Sequence, residues 1–158
     1  MKKENVVFID GCRTPFLKSG TDYINLMSYE LGQFAINGLL QKTGLDPKKV
    51  DQVILGTVIS NVKTPNVARE AAISSGIHNK AHCQTVSQAC ISANRAICNG
   101  VNEILLGNAD VVIAGGVENT SDTPIGFPKK MRNKLFAAQK LRRFNDVLRF
   151  VFSLRPSD

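Results

Sequence analysis

Four short runs rich in β-branched residues, Val6 to Ile9, Val53 to Ile59, Cys83 to Ser87 and Val111 to Val117, punctuate the chain, with helical patterns between them. The runs at 6, 53 and 111 are apolar without alternation, the signature of strands buried on both faces. Strands separated by helices cannot be joined as hairpins, so they run parallel and their crossover helices cover the sheet. The expected fold class is therefore α/β, a mostly parallel sheet with helices on both faces.

The intervening segments carry their own start and stop signals. From Ser28 to Lys42 the positions Leu31, Phe34, Ala35, Gly38 and Leu39 recur at helical spacing, and Gly44 falls where a left-handed C-terminal cap belongs. Asp46-Pro47 and Thr64-Pro65 each read as a cap followed by a proline in a first turn; the second opens a helix from about Asn66 to Ser75 that Gly76 closes. The most regular stripe is Ala93, Ala96, Ile97, Gly100, Val101, Ile104 and Leu105, stopped by Gly107.

Composition matters for what it excludes. With 158 residues, 43% hydrophobic and 21% charged, the chain can bury a core without disulfides or metals. Its net charge of +7 is uneven: residues 1–128 hold 11 basic and 11 acidic side chains, residues 129–158 hold 9 and 2. The neutral body offers no basic face, so nucleic acid is not an expected partner. No apolar run approaches the roughly 18 residues that span a bilayer, and the opening residues lack the pattern of a signal or transit peptide. No Gly-x-Gly-x-x-Gly or Walker loop follows any strand, and no Cys-x-x-Cys pair suggests zinc or a dithiol. Free cysteines suit a reducing compartment.

The texture changes at Ser121, so residues 1–120 and 121–158 are expected to form two domains. In the second, Leu141, Phe144, Leu148, Val151 and Phe152 make an apolar stripe flanked by Arg142, Arg143 and Arg149. That suits peripheral contact of 129–154 with an anionic membrane, and equally an ordinary packing helix.

Among side chains that carry chemistry, Cys90 stands between a short strand and the first turn of the most regular helix. Free N–H groups and the positive end of the helix dipole stabilise a thiolate there, at the sheet edge where open α/β sheets bind ligands. A structural cysteine fits the same position. Packing roles are expected for Cys12, Cys83 and Cys98. His82 lies at the far end of the third run, roughly 17 Å from Cys90, too far to be its base within one subunit. His78, in a Gly-Ile-His-Asn-Lys turn, is expected in solvent, and Gly115 and Gly116 are expected to permit close packing rather than to touch substrate.

Phe8-Ile9-Asp10-Gly11-Cys12-Arg13-Thr14-Pro15-Phe16, Val53-Ile54-Leu55-Gly56-Thr57-Val58, Gln88-Ala89-Cys90-Ile91-Ser92-Ala93-Asn94 and Val112-Ile113-Ala114-Gly115-Gly116-Val117-Glu118-Asn119-Thr120-Ser121, in this order, resemble the N-terminal domain of the thiolases. Ala-Cys-Ile-Ser-Ala-Asn in place of the commoner Cys-Ala-Ser-Gly makes the chain most similar to the beta subunits of fatty-acid-oxidation complexes. The resemblance implies that Cys90 is the nucleophile attacking a 3-ketoacyl-CoA, with its backbone N–H in an oxyanion hole and coenzyme A as co-substrate, not cofactor. It implies four of five strands of the N-terminal domain in 1–120 and the start of a basic helical loop domain in 121–158. It also implies a homodimer or higher oligomer through strand 83–87, an alpha subunit of a β-oxidation complex as partner, and a cytoplasmic location in a bacterium or a mitochondrial one elsewhere. The family's Gly-His-Pro motif, its Asn- or His-Glu-Ala-Phe motif and its second cysteine do not occur in these 158 residues. The expectation is accordingly a truncated thiolase, inactive alone. A condensing relative (an acetoacetyl-CoA thiolase or ketoacyl synthase) and a non-catalytic remnant with a membrane- or partner-binding basic tail are the alternatives.

Overall fold

A computed structural model describes residues 5–139, 141 and 143–154, without the side chains of Phe144 and Val147. The order is α1 (Ser28–Thr43), a 3-10 turn (Pro47–Lys49), β1 (Gln52–Gly56), α2 (Val67–Ser74), β2 (His82–Val86), α3 (Ser92–Leu105), β3 (Val112–Gly116), α4 (Lys129–Ala138) and α5 (Phe144–Ser153). The three strands are parallel in the order β2-β1-β3.

The signals at Gly44 and Asp46 act where the sequence puts them, whereas the cap expected at Thr64 does not form there. Gly44 ends α1 at φ 66°, with its N–H donating to the Leu40 carbonyl. Asp46 caps the 3-10 turn by accepting from Lys48 N at 2.9 Å. The cap of α2 is Asn66, which accepts from Arg69 N at 3.1 Å; Thr64 instead closes a turn with Asn61.

Period-two alternation sorts the strand residues by layer. Val53, Leu55 and Ile113 join Ile36, Leu40 and Ala71 in the core under α1 and α2. The opposite face of β1 and β3 carries Gly56, Gly116, Val112 and Ala114, all against α3. As the central strand, β1 is buried at all five positions.

Three further expectations fail. Val6 to Ile9 is not a strand: Val7, Phe8 and Ile9 are 69%, 79% and 82% exposed. β-Branched residues favour a pleated, half-buried surface, but a strand exists only where an edge pairs with it. Both edges of β1 are taken by β2 and β3, Val6 to Ile9 pairs with neither outer edge, and this segment is tethered instead by an Asp10–Lys42 ion pair at 2.7 Å. The second run stops at Gly56 rather than Ile59, because the N–H groups of Val58 and Ile59 donate to the Glu118 carboxylate instead of to a ladder. The stripe of α3 is wider than the surface that covers it: Ser92, Ala96 and Gly100 are buried, while Ile97 and Leu105 are exposed.

The chain divides into two compact units, Met1–Pro124 and Ile125–Asp158. The second contains α4 and α5, linked by Lys134 Nζ donating to the Ser153 carbonyl at 2.6 Å. Val151 and Phe152 are exposed there; Arg142 and the side chain of Phe144 lie outside the described residues. Among the described residues no helix is long and apolar enough to cross a membrane.

Candidate active site

Cys90 lies in the tight connection between β2 and α3, at the C-terminal edge of the sheet, and is exposed. Ala89 before it has φ 48°, and among the described residues it is the one non-glycine residue with positive φ. A Cβ in that region costs roughly 1–2 kcal/mol. The strain is held by Ser92, whose hydroxyl accepts from Gln88 N at 2.8 Å and donates to the Ala89 carbonyl at 2.6 Å. Ser92 itself is buried.

Two glycines fix the head of α3 on the sheet. A Cβ on Gly56 would lie 2.5 Å from Ala93 N, and one on Gly116 would lie 2.6 Å from Ala93 Cβ. Only hydrogen at both positions lets the helix N-terminus sit on the strand ends. Gly116 thus takes the packing role expected of it, whereas Gly115 faces open space.

The other cysteines are placed differently. Cys12 lies in the N-terminal loop against Gly38, and Cys98 sits on the exposed flank of α3. Cys83 is half-buried in the core, and burial pushes its thiol above the usual range while Arg69 pulls weakly the other way. His82 begins β2, at the end of the strand opposite Cys90, and His78 accepts from Lys80 N in its turn.

Two hollows open on the first unit. The larger, about 680 Å³, lies among the N-terminal loop, α1 and the segment after β3, lined by Cys12, Tyr23, Leu31, Glu118 and Asn119. Cys90 does not line it. The smaller, about 510 Å³, is formed by Val86, Ser87, Gln88, Arg95 and Asn99 and borders the Cys90 turn. Cys90 is not among the residues that line the smaller one either.

Two residues noted in sequence only as part of a motif prove to be organisers. Glu118 accepts from Thr57 Oγ1, Val58 N and Ile59 N, tying the segments after β1 and β3 together. Asn119, 3% exposed, donates to the carbonyls of Tyr23 and Leu26. Their signal was two adjacent polar residues directly after a buried apolar run. Among the described residues no group of three or more side chains is arranged to hold a metal.

Cys90 thus stands on a strained turn, heading a helix at the C-terminal edge of a parallel sheet, the edge where open α/β sheets bind ligands. The family model for the thiolase N-terminal domain matches residues 6–148, and the chain belongs to that family. It is 47% identical over 151 residues to the mitochondrial trifunctional enzyme subunit beta of Homo sapiens, covering 96% of this chain and 32% of that one. To a probable 3-ketoacyl-CoA thiolase of Caenorhabditis elegans it is 43% identical over 138 residues, covering 87% of this chain and 31% of the relative. Among solved structures, the Acat5 thiolase from Ascaris suum in complex with coenzyme A superposes with a TM-score of 0.71 at 26% identity, covering 75% of this chain and 31% of that one. The chain spans about a third of the length of the curated relatives it matches.

Proposed function

We propose that this chain supplies the nucleophile of a degradative 3-ketoacyl-CoA thiolase, with Cys90 in that role. The Cys90 thiolate attacks the C3 carbonyl, the C2–C3 bond breaks, and its electron pair leaves on acetyl-CoA, whose C2 takes up a proton. The shortened acyl group stays on sulfur as a thioester until the thiolate of a second coenzyme A displaces it. The observation that carries this reading is the exposed Cys90 on a turn held open by Ala89 and Ser92, in a chain of this family.

Several further assignments belong to the same proposal. Two copies associate through the free edge of β2, and an alpha subunit completes the complex, as the name of the human relative suggests. The relatives named mitochondrial favour an organellar location over the cytoplasmic one. The basic segment 129–154 rests on an anionic membrane surface.

The test of the nucleophile is selective acylation. Folded chain incubated with a short acyl-CoA and digested should carry the acyl mass on Cys90, ahead of the equally exposed Cys12 and Cys98, and Cys90→Ala should carry none there. Equal acylation of the three thiols counts against the assignment.

A further inference from the structure

The free edge of β2 dictates how a second copy can add to it. His82 N donates to the Asp51 carbonyl and the Val86 carbonyl accepts from Thr57 N, so the even-numbered residues direct their backbone groups toward β1. In a parallel ladder the intervening residues point the other way. Cys83 and Thr85 therefore present their N–H and C=O groups to the open edge; Asn66 Nδ2 already donates to the Cys83 carbonyl there at 3.1 Å, and that oxygen's second lone pair and the remaining groups are open to another strand.

A twofold-related strand must add antiparallel, with outward-pointing residues opposite outward-pointing residues. Three centres meet that condition: Cys83, Gln84 or Thr85. Centring on Gln84 engages both Cys83 and Thr85 within the five-residue strand, Cys83 facing the partner's Thr85 and Thr85 facing the partner's Cys83. The other two centres leave one of these residues facing chain outside the strand.

Side-chain direction then decides what meets across the axis. Cys83 packs in the core, and Thr85 Oγ1 accepts from Ala68 N and donates to Asn66 Oδ1, so odd residues face α2. His82, Gln84 and Val86 lie on the α3 side. On that side α3 runs back along the sheet, with Ala93 against Gly116 and Gly100 against Val112. Its flank toward β2 carries Arg95, Asn99 and Glu103 at four-residue spacing. Arg95 stands at the Val86 end, where it lines the smaller hollow. Glu103 stands at the His82 end, accepting from Gln52 Nε2, and Gln52 is the register partner of His82.

From this geometry, and resting on the pairing through β2 proposed above, we infer that His82 of the partner subunit seats in the hollow lined by Val86, Gln88, Arg95 and Asn99, and that Arg95 faces the partner's Glu103. Opposite Val86 in the Gln84-centred register stands the partner's His82, its side chain on the α3 face at the mouth of that hollow. The same rotation brings Arg95, whose side chain makes no hydrogen bond or ion pair among the described residues, to the end where Glu103 of the partner subunit carries its negative charge. A second copy is the occupant because the arrangement is self-complementary: each copy offers a cation at one end of its edge and an anion at the other. His82, too far from the Cys90 of its own chain, thus stands in the hollow beside the turn that carries the Cys90 of the other.

The register is read by mild oxidation, because Cys83 is a built-in control. Centring on Gln84 puts two Gln84 residues opposite each other as a non-hydrogen-bonded pair, with Cα atoms about 4.5 Å apart and within disulfide reach. A Gln84→Cys chain should then cross-link between its two introduced sulfurs, mapped by mass spectrometry, while the unmodified chain forms no Cys83–Cys83 bond. Arg95→Glu and Glu103→Arg should each weaken self-association in sedimentation roughly tenfold, since like charges then meet, and the double variant should recover most of the loss. A Cys83–Cys83 bond, faster cross-linking by Thr85→Cys than by Gln84→Cys, or a double variant as weak as its parents leaves the pairing standing and overturns the seating of His82. A chain that stays monomeric at every concentration overturns the pairing itself.

Discussion

Replacing Gly56 by alanine tests whether the Cys90 turn is held by backbone contact. The added Cβ would lie 2.5 Å from Ala93 N and from the Ser92 carbonyl oxygen, distances that real Cβ atoms do not adopt. Both neighbours are backbone in the first turn of α3, so relief requires lifting the helix from the sheet. Overpacking costs about 1–3 kcal/mol, and immovable neighbours place this case at the top of that range. Replacing a strand glycine returns about 0.5–1 kcal/mol of backbone entropy, leaving a net loss of about 2 kcal/mol. For a unit of this size that lowers Tm by roughly 8 °C. Gly115→Ala is the matched control, since a Cβ there meets nothing within 4 Å and the entropy term alone should leave Tm unchanged or slightly raised. Thermal melts followed by circular dichroism compare the two, and iodoacetamide labelling should show Cys90 losing its lead over Cys12 and Cys98 in Gly56→Ala only. Equal melting temperatures for the two variants would refute the idea that α3 is seated through Gly56.

The Asp10–Lys42 pair sets a pH dependence. The hydrogen bond from Lys42, and then that from Gly11 N, holds the Asp10 carboxyl below the usual carboxylate range, so its tether is intact above that range and released as pH falls through the lowered value. A carboxyl-resolved NMR titration should find that low midpoint and see it rise toward the usual range in Lys42→Met, the Gly11 N–H still holding it partly down. A peptide of residues 129–154 should co-sediment with anionic vesicles at low salt and release as salt screens the attraction over about 8 Å at physiological strength; no binding at low salt leaves the segment as an ordinary packing helix.

How much of this was legible in the sequence depended on whether the determinant was local. The stops at Gly44, Gly76 and Gly107 were readable because positive φ is a property of single positions, and each adopts it. The buried character of β1 was readable from its unbroken apolar run. Val6 to Ile9 misled because its composition was right for a strand while pairing, which decides the matter, is settled far along the chain. The end of β1 misled for a related reason: the carboxylate that captures Val58 and Ile59 N–H stands at position 118. At the site, the position of Cys90 followed from element boundaries, but the φ of Ala89 did not, since alanine carries no signal for left-handed backbone. Nor does sequence mark Ser92, whose role rests on a hydroxyl bonded on both sides.

These misses share a cause that bears on how the nucleophile is presented. Among the described residues, the turn that carries Cys90 is held by two absent methyl groups, at Gly56 and Gly116, and by the hydroxyl of Ser92. The strain at Ala89 of roughly 1–2 kcal/mol is comparable to what the two Ser92 hydrogen bonds return at about 1 kcal/mol each. The turn is therefore close to balance on its own. What tips it is the packing of α3, buried at Ser92, Ala96 and Gly100. Rigidity at the thiol is thus drawn from the helix-sheet contact rather than from the turn. Substitutions of small residues well away from Cys90 should accordingly disturb it more than substitutions of the exposed side chains beside it.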